Sequence, residues 1–248
     1  MDITEFITIN YLFAGFAAFL IGLSKSGIKG IAILFVTILA LVYGARNSTG
    51  IVMPLLIIGD IFAVLYYKRH TKWQYIIKFL PWMIIGVLIA VFSAKNIPES
   101  EFKIAMAIII IISVLLMWFW EKKQNKKVPS HWTFASIMGV LGGFTTMVGN
   151  LAGSFANIYF LAVRLPKNEF IGTAAWLFFL INLFKLPFHF IIWKTINLGS
   201  LTKSLSLFPF LILGLILGVK IVEKIKNDSY RKLILFFTAL GGLIILFK

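Results

Sequence analysis

The chain has 248 residues, of which 60% are apolar or aromatic and only 13% charged, with a mean hydropathy of +0.96. That composition excludes an ordinary soluble domain and predicts a polytopic membrane protein. The formal net charge of +15 does not point to nucleic acid, because the lysines and arginines stand in short clusters between apolar runs rather than along one soluble face. With no cysteine there is no disulfide, thiolate or cysteine-ligated metal chemistry, and no cofactor motif is recognisable.

Ten apolar segments follow in chain order, at about 7–23, 28–43, 51–67, 75–92 and 102–120, then 132–146, 151–165, 171–193, 201–222 and 230–247. Most approach the roughly 20 residues that a helix needs to cross about 30 Å of hydrocarbon. The expected fold is therefore all-α, a polytopic transmembrane bundle. The polar stretch 122–130 divides it into a first repeat over 1–121 and a second over 131–248, and reads as a basic cytoplasmic linker. Trp73, Trp118, Trp120, Trp132 and Trp193 fall near segment ends, as interfacial anchors do.

The two parts resemble each other. Gly27, Leu39, Ala40, Gly50, Leu55 and Phe62 recur 122 positions later as Gly149, Leu161, Ala162, Gly172, Leu177 and Phe184, and Asp60 meets Asn182 in the same register. After a six-residue insertion in the second copy, Pro81 and Gly86 match Pro209 and Gly214. Five segments per part is an odd number, so the second copy enters the membrane the other way up, which predicts an inverted repeat of the kind transporters use for alternating access.

Charge sets the expected orientation. Lys25/Lys29, Lys68/Arg69/Lys72, Lys122/Lys123/Lys126/Lys127, Arg164/Lys167 and Lys224/Lys226/Arg231/Lys232 fall on one side. The other side holds the acidic start MDITE, Arg46, Lys95, Lys103, Lys194, Lys203 and Lys248. The positive-inside rule makes the first group cytoplasmic, with both termini outside a bacterial-type inner membrane. The acidic start also argues against a cleaved signal peptide.

The first two segments of each part are short, since about 15 residues at about 1.5 Å rise reach only about 22 Å. Each pair, joined by a polar glycine-bearing turn, reads either as two crossings or as a re-entrant hairpin. The turns are Gly22-Leu-Ser-Lys-Ser-Gly-Ile-Lys-Gly30 and Thr145-Thr-Met-Val-Gly-Asn-Leu-Ala-Gly153. Irregular backbone at membrane depth needs protein or a water-filled cavity around it, so the two turns are expected to meet inside. Helices starting after Gly27 and Gly149 would aim free N–H groups and a positive dipole end at an anion. Ser24, Ser26, Thr145, Thr146 and Asn150 add hydroxyl and amide donors. Gly27, Gly30, Gly149 and Gly153 suit tight turns or close helix packing.

Lys25 and Lys29 read in two ways. A cation at a helix N-terminus opposes the dipole unless an anion sits between them, or else both side chains snorkel to the cytoplasmic face and only set topology. Asp60 and Lys185 lie within long apolar segments, where an ionisable group faces protein or water. Asp60 is the candidate for carrying a coupling proton, with Asn182 and Lys185 as second-half counterparts, or it is a buried partner for Lys185. His70, His131 and His189 form no metal or hydrolase motif, so an intramembrane enzyme and an anion channel stand only as alternatives to a carrier.

The turns carry a more specific signal. GLSKSGIKG, followed by ARNSTGIVMPLL and GDIFAVLYYKRH, looks like the first-half signature of the TauE/SafE family, and GFTTMVGNLAG with RLPKNEFIGTAAWLFFLINLFKLPF is similar to its second-half pattern. Family members often place a proline after the second-half N-x-A-G, where this chain has Ser154. The resemblance implies a multi-span permease, not an enzyme, exporting sulfite or organosulfonate anions. The partners expected are thus a small anionic substrate and the lipid bilayer, without nucleic acid; a homo-oligomer is left open.

Overall fold

In a computed structural model the protein is described over residues 3–122 and 132–227, with 229, 230, 232–234 and 236 beyond them. Most of the tenth expected segment and residues 123–130 of the expected linker lie outside the described residues. Among those described, the chain is helical throughout, with no strand. The helices are α1 (Ile3–Lys25), α2 (Ala32–Tyr43), α3 (Ala45–Tyr67), α4 (Trp73–Ser93), α5 (Glu99–Lys122), α6 (Trp132–Gly149), α7 (Ala152–Ala162), α8 (Lys167–Pro187) and α9 (Leu198–Lys224). Backbone groups in lipid must be satisfied within the segment, which is why each apolar run becomes a helix.

Among the described residues six helices are long and apolar enough to cross a membrane, and the protein is a multi-pass membrane protein. The expectation of two short segments per part needs revision. Helix α1 extends over 23 residues and α6 over 18, whereas α2 and α7 have 12 and 11. Ser24 and Lys25, and likewise Val148 and Gly149, continue the preceding helix instead of joining the turn, because neither polar side chains nor a single glycine stop a helix whose next residues remain helical.

The central pair is α3 and α8, which run antiparallel. A Cβ at Gly50, near the start of α3, would lie 2.1 Å from the carbonyl oxygen of Thr195, just beyond α8. A Cβ at Gly172, near the start of α8, would lie 2.7 Å from the carbonyl oxygen of Tyr67 at the end of α3. Gly50 and Gly172 are partners in the sequence alignment, and each lets the far end of the other part close onto its helix.

The flanking helices cross between the parts: α1 packs chiefly on α9, and α4 chiefly on α6. Both crossings run through glycines. An added Cβ at Gly22 or Gly214 would lie 2.3 Å from the Leu211 or 2.1 Å from the Phe19 carbonyl oxygen, and at Gly86 or Gly143 2.0 Å from that of Val140 or Met83. In lipid no hydrophobic force draws helices together, so backbones approach where small residues permit. The partners are thus exchanged between the parts, α1 with α9 and α6 with α4. The six-residue insertion is taken up after α8, where a π-helical turn (Phe188–Ile192) and the stretch 193–197 replace the short 3₁₀ turn Lys68–His70 that follows α3.

Trp73 and Trp132 are exposed, as interfacial anchors should be. Trp193 is not one: its ring is buried and its Nε1 donates to the Val91 carbonyl at 3.2 Å, because α8 ends at Pro187 and the π-helical turn after it lays Trp193 against α4. The side chains of Trp118 and Trp120 lie outside the described residues.

Candidate functional site

Both turns reach the interior, and they use different backbone chemistry. In the first, Gly27 (φ 123°) and Gly30 (φ 97°) take the left-handed conformations. In the second, Gly149 is still helical and Asn150 (φ 57°) makes the reversal, a conformation that asparagine accepts better than most residues. Tyrosines hold the first turn in place. Tyr67 Oη donates to the Ser26 carbonyl at 2.8 Å and Tyr230 Oη to the Gly27 carbonyl at 2.6 Å.

A cavity lies between the turns. Ser24, Lys25, Lys29 and Gly30 line it from the first, Thr146, Asn150 and Gly153 from the second, with Asn182, Asn157 and Phe178 beside them. Helices α2 and α7 begin at its wall, through Ala32 and Ala152, and no side chain caps either start. Their first N–H groups are left without intrahelical partners, and the positive dipole ends point the same way. The true starts lie five and three residues past the glycines from which the sequence reading launched them.

Charge inside is distributed asymmetrically. Lys25 and Lys29 are buried, so neither side chain snorkels to a surface. Lys25 Nζ lies 2.5 Å from Asp60 Oδ1, and Lys29 Nζ donates to the Ser24 carbonyl at 2.9 Å. Both ammonium groups sit over the Phe178 ring, at 5.4 and 5.6 Å from its centroid, a cation–π arrangement that recovers part of the lost hydration. The other Asp60 oxygen, Oδ2, accepts from Asn182 Nδ2 at 2.7 Å.

Lys185 is fully buried and takes a different set of partners. Its Nζ donates to the Thr146 carbonyl (2.8 Å), Thr146 Oγ1 (3.0 Å), Asn150 Oδ1 (2.8 Å) and Asn182 Oδ1 (3.2 Å). The carboxylate read from the sequence as a partner for Lys185 belongs to Lys25 in the structure. Asn182 bridges the two, accepting from Lys185 and donating to Asp60. Two lysines thus line the cavity, with Lys185 and Asp60 behind its wall, an excess of basic over acidic side chains that suits a bound anion.

Not every candidate faces the cavity. Ser26 Oγ donates to the Gly22 carbonyl at 2.8 Å and packs against Gly218 of α9. Thr145 Oγ1 donates back to the Gly142 carbonyl at 3.3 Å. Gly27 and Gly149 shape the turns from behind, and Asp60 and Lys185 brace the wall. Glu169 pairs with Lys72 at 3.1 Å near the surface.

Sequence reading missed Asn157 and Phe178. Asn157 is buried on the cavity wall with no hydrogen-bond partner for its Oδ1. One signal was available, a single amide in the otherwise apolar run of α7, one helical turn after Gly153. Phe178 carries none, since one aromatic ring among the 25 phenylalanines is marked only by what packs on it.

The family model described as "Sulfite exporter TauE/SafE" matches residues 12–245, nearly the whole chain. No curated protein and no solved structure matches the chain. With two polar turns meeting in the middle of a multi-pass helical bundle, and with a family match that spans both, the chain belongs to the sulfite exporter TauE/SafE family of membrane transporters and is not an enzyme.

Proposed function

We propose that this transporter exports a small sulfur oxyanion or an organosulfonate across a bacterial-type inner membrane by alternating access, with both termini outside and the two parts related as inverted repeats. The observation that carries the reading is the convergence of Lys25 and Lys29 with the uncapped starts of α2 and α7 on one cavity, with Lys185 buried behind the Thr146 and Asn150 that line it. An oxyanion entering it exchanges its water for ammonium, hydroxyl and backbone N–H donors, all of which strengthen as the medium becomes less polar. Lys29, Ser24, Thr146, Asn150 and Gly153 would hold the anion, and Asn182 would position the charged groups behind it.

Asp60 is where a coupling proton would act. When an anion draws Lys25 away, the carboxylate loses its ammonium partner and keeps only the Asn182 amide. Taking up a proton would then relieve an unpaired buried charge, which links anion and proton movement.

The test is sulfite and sulfonate flux in proteoliposomes, with and without an imposed pH gradient, against empty vesicles. Saturable flux with trans-stimulation supports a carrier and separates it from a channel. Absence of flux for every anion tried withdraws the substrate assignment.

A further inference from the structure

Two basic residues assigned by the sequence only to topology, Arg46 and Lys167, stand at the starts of α3 and α8, as the second residue of one helix and the first of the other, one position apart in the 122-residue register. Arg46 Nη1 donates to the Lys95 carbonyl at 2.9 Å, and Nη2 to those of Ala94 at 3.1 Å and Ile97 at 2.6 Å, the unpaired carbonyls after α4. Lys167 Nζ donates to the carbonyls of Val222 at 3.0 Å and Ile225 at 2.6 Å, where α9 ends. The offset that aligns Pro81 with Pro209 also aligns Ala94 with Val222 and Ile97 with Ile225.

The likeness extends to the backbone. The Arg46 N–H donates to Glu99 Oε1 at 3.2 Å, and the Lys167 N–H donates to Asn227 Oδ1 at 3.4 Å. Glu99 and Asn227 are again equivalent positions under the same offset. Each assembly joins one orphan helix start, one basic side chain and one helix C-terminus, where carbonyls and dipole favour a cation.

Their placement gives them a shared task. Helix α1 packs with α2 and α9, and α6 packs with α7 and α4, so the bundle has two packed groups around the α3/α8 pair. Arg46 ties the corner after α2 to the corner after α4, and Lys167 ties the corner after α7 to the end of α9. Each therefore connects one group to the other. They do so at opposite ends of the central pair: Arg46 stands over Trp193, just past the end of α8, whereas Lys167 lies two residues from Glu169, which pairs with Lys72 just past the end of α3. Those ends are about 34 Å apart along α3. Both ties are closed, and the cavity residues Lys25, Lys29, Asn150 and Asn182 are buried.

We propose that Arg46 and Lys167 are paired gate latches, one at each membrane face, and that the transporter opens to a given side by releasing the latch on that side while the other stays closed. The inference rests on the alternating-access reading but not on the identity of the anion.

The absence of native cysteine allows a clean test without any substrate. Ala32→Cys places a single thiol on the cavity wall, and its labelling by a membrane-impermeant maleimide is followed in right-side-out and inside-out vesicles. Arg46→Ala is expected to raise the labelling rate about tenfold or more from one face, and Lys167→Ala by a similar factor from the other. Glu99→Ala and Asn227→Ala, which keep the basic side chains, are expected to give smaller increases from the same faces as Arg46→Ala and Lys167→Ala respectively, and decide the matter if a latch variant does not fold. Increases from the same face for both, or unchanged labelling in folded protein, overturn the proposal. Loss of sulfite flux in the parent protein would count against the substrate reading alone.

Discussion

Asn182 donates its side-chain amide to Asp60 at 2.7 Å, and the two residues occupy the same register of the two parts of the chain, 122 positions apart. Residues related by a two-fold repeat touch each other only close to the axis that relates them. This contact therefore lies where a pseudo-two-fold axis between α3 and α8 would run, beside the cavity. The acid accepts from Lys25 and the amide oxygen from Lys185, so the two sides of this contact hold different lysines.

Removing Lys25 alone is expected to damage the fold as well as transport. Lys25→Ala leaves Asp60 buried without its ammonium partner, a change of about 3–5 kcal/mol when one member of a buried pair is lost. Lys25→Ala/Asp60→Asn should recover most of that stability. Thermal unfolding of the purified proteins in detergent checks this; equal losses in the single and double variants would show that the pair is not the cause.

Lys29 offers the cleaner test of anion binding, because its ammonium donates to the Ser24 carbonyl and pairs with no carboxylate in the structure. Lys29→Gln should leave the unfolding temperature nearly unchanged and weaken sulfite transport about 10- to 100-fold in KM, the scale of one charge-assisted hydrogen bond of about 1.5–3 kcal/mol. Flux against concentration in proteoliposomes measures it.

The left-handed backbone at Asn150 and its side-chain bond to Lys185 can be separated. Asn150→Gly removes only the acceptor, whereas Asn150→Ala also forces an unfavourable φ of 57° on alanine. The alanine variant should be less stable than the glycine variant by about 1 kcal/mol. Chemical denaturation of both decides it, and equal stabilities would place the strain elsewhere.

The two glycine crossings should respond alike. Gly86→Ala and Gly214→Ala each push a methyl group into a backbone carbonyl of the facing helix, and each should cost about 1–3 kcal/mol, the usual range for overpacking. A large penalty in one and none in the other would show that the two crossings are not equivalent, and would argue against the repeat.

Membrane class, the all-helical fold and the shortness of the helices after each turn were legible in the sequence, because apolar length is a property of consecutive residues, whereas the full length of α1 and α6 was not. The 122-residue match between the two parts is likewise read from the sequence. It pointed to Gly50, Gly86, Gly172 and Gly214, each of which makes a close backbone approach. Helix ends were less visible: α1 and α6 continue into both polar turns, since whether a serine or glycine ends a helix depends on what packs around it.

What tertiary structure alone decided is the pairing of charges. From the sequence, Asp60 had Lys185 as a candidate partner and Lys25 a route to the surface; packing sends Lys25 to Asp60 and gives Lys185 to Thr146, Asn150 and Asn182. It likewise turned Arg46 and Lys167 from topology markers into ties between helix ends. A charge buried in a bundle takes whichever partner the helix crossings bring within about 3 Å, and those crossings are set by glycines far away in the chain.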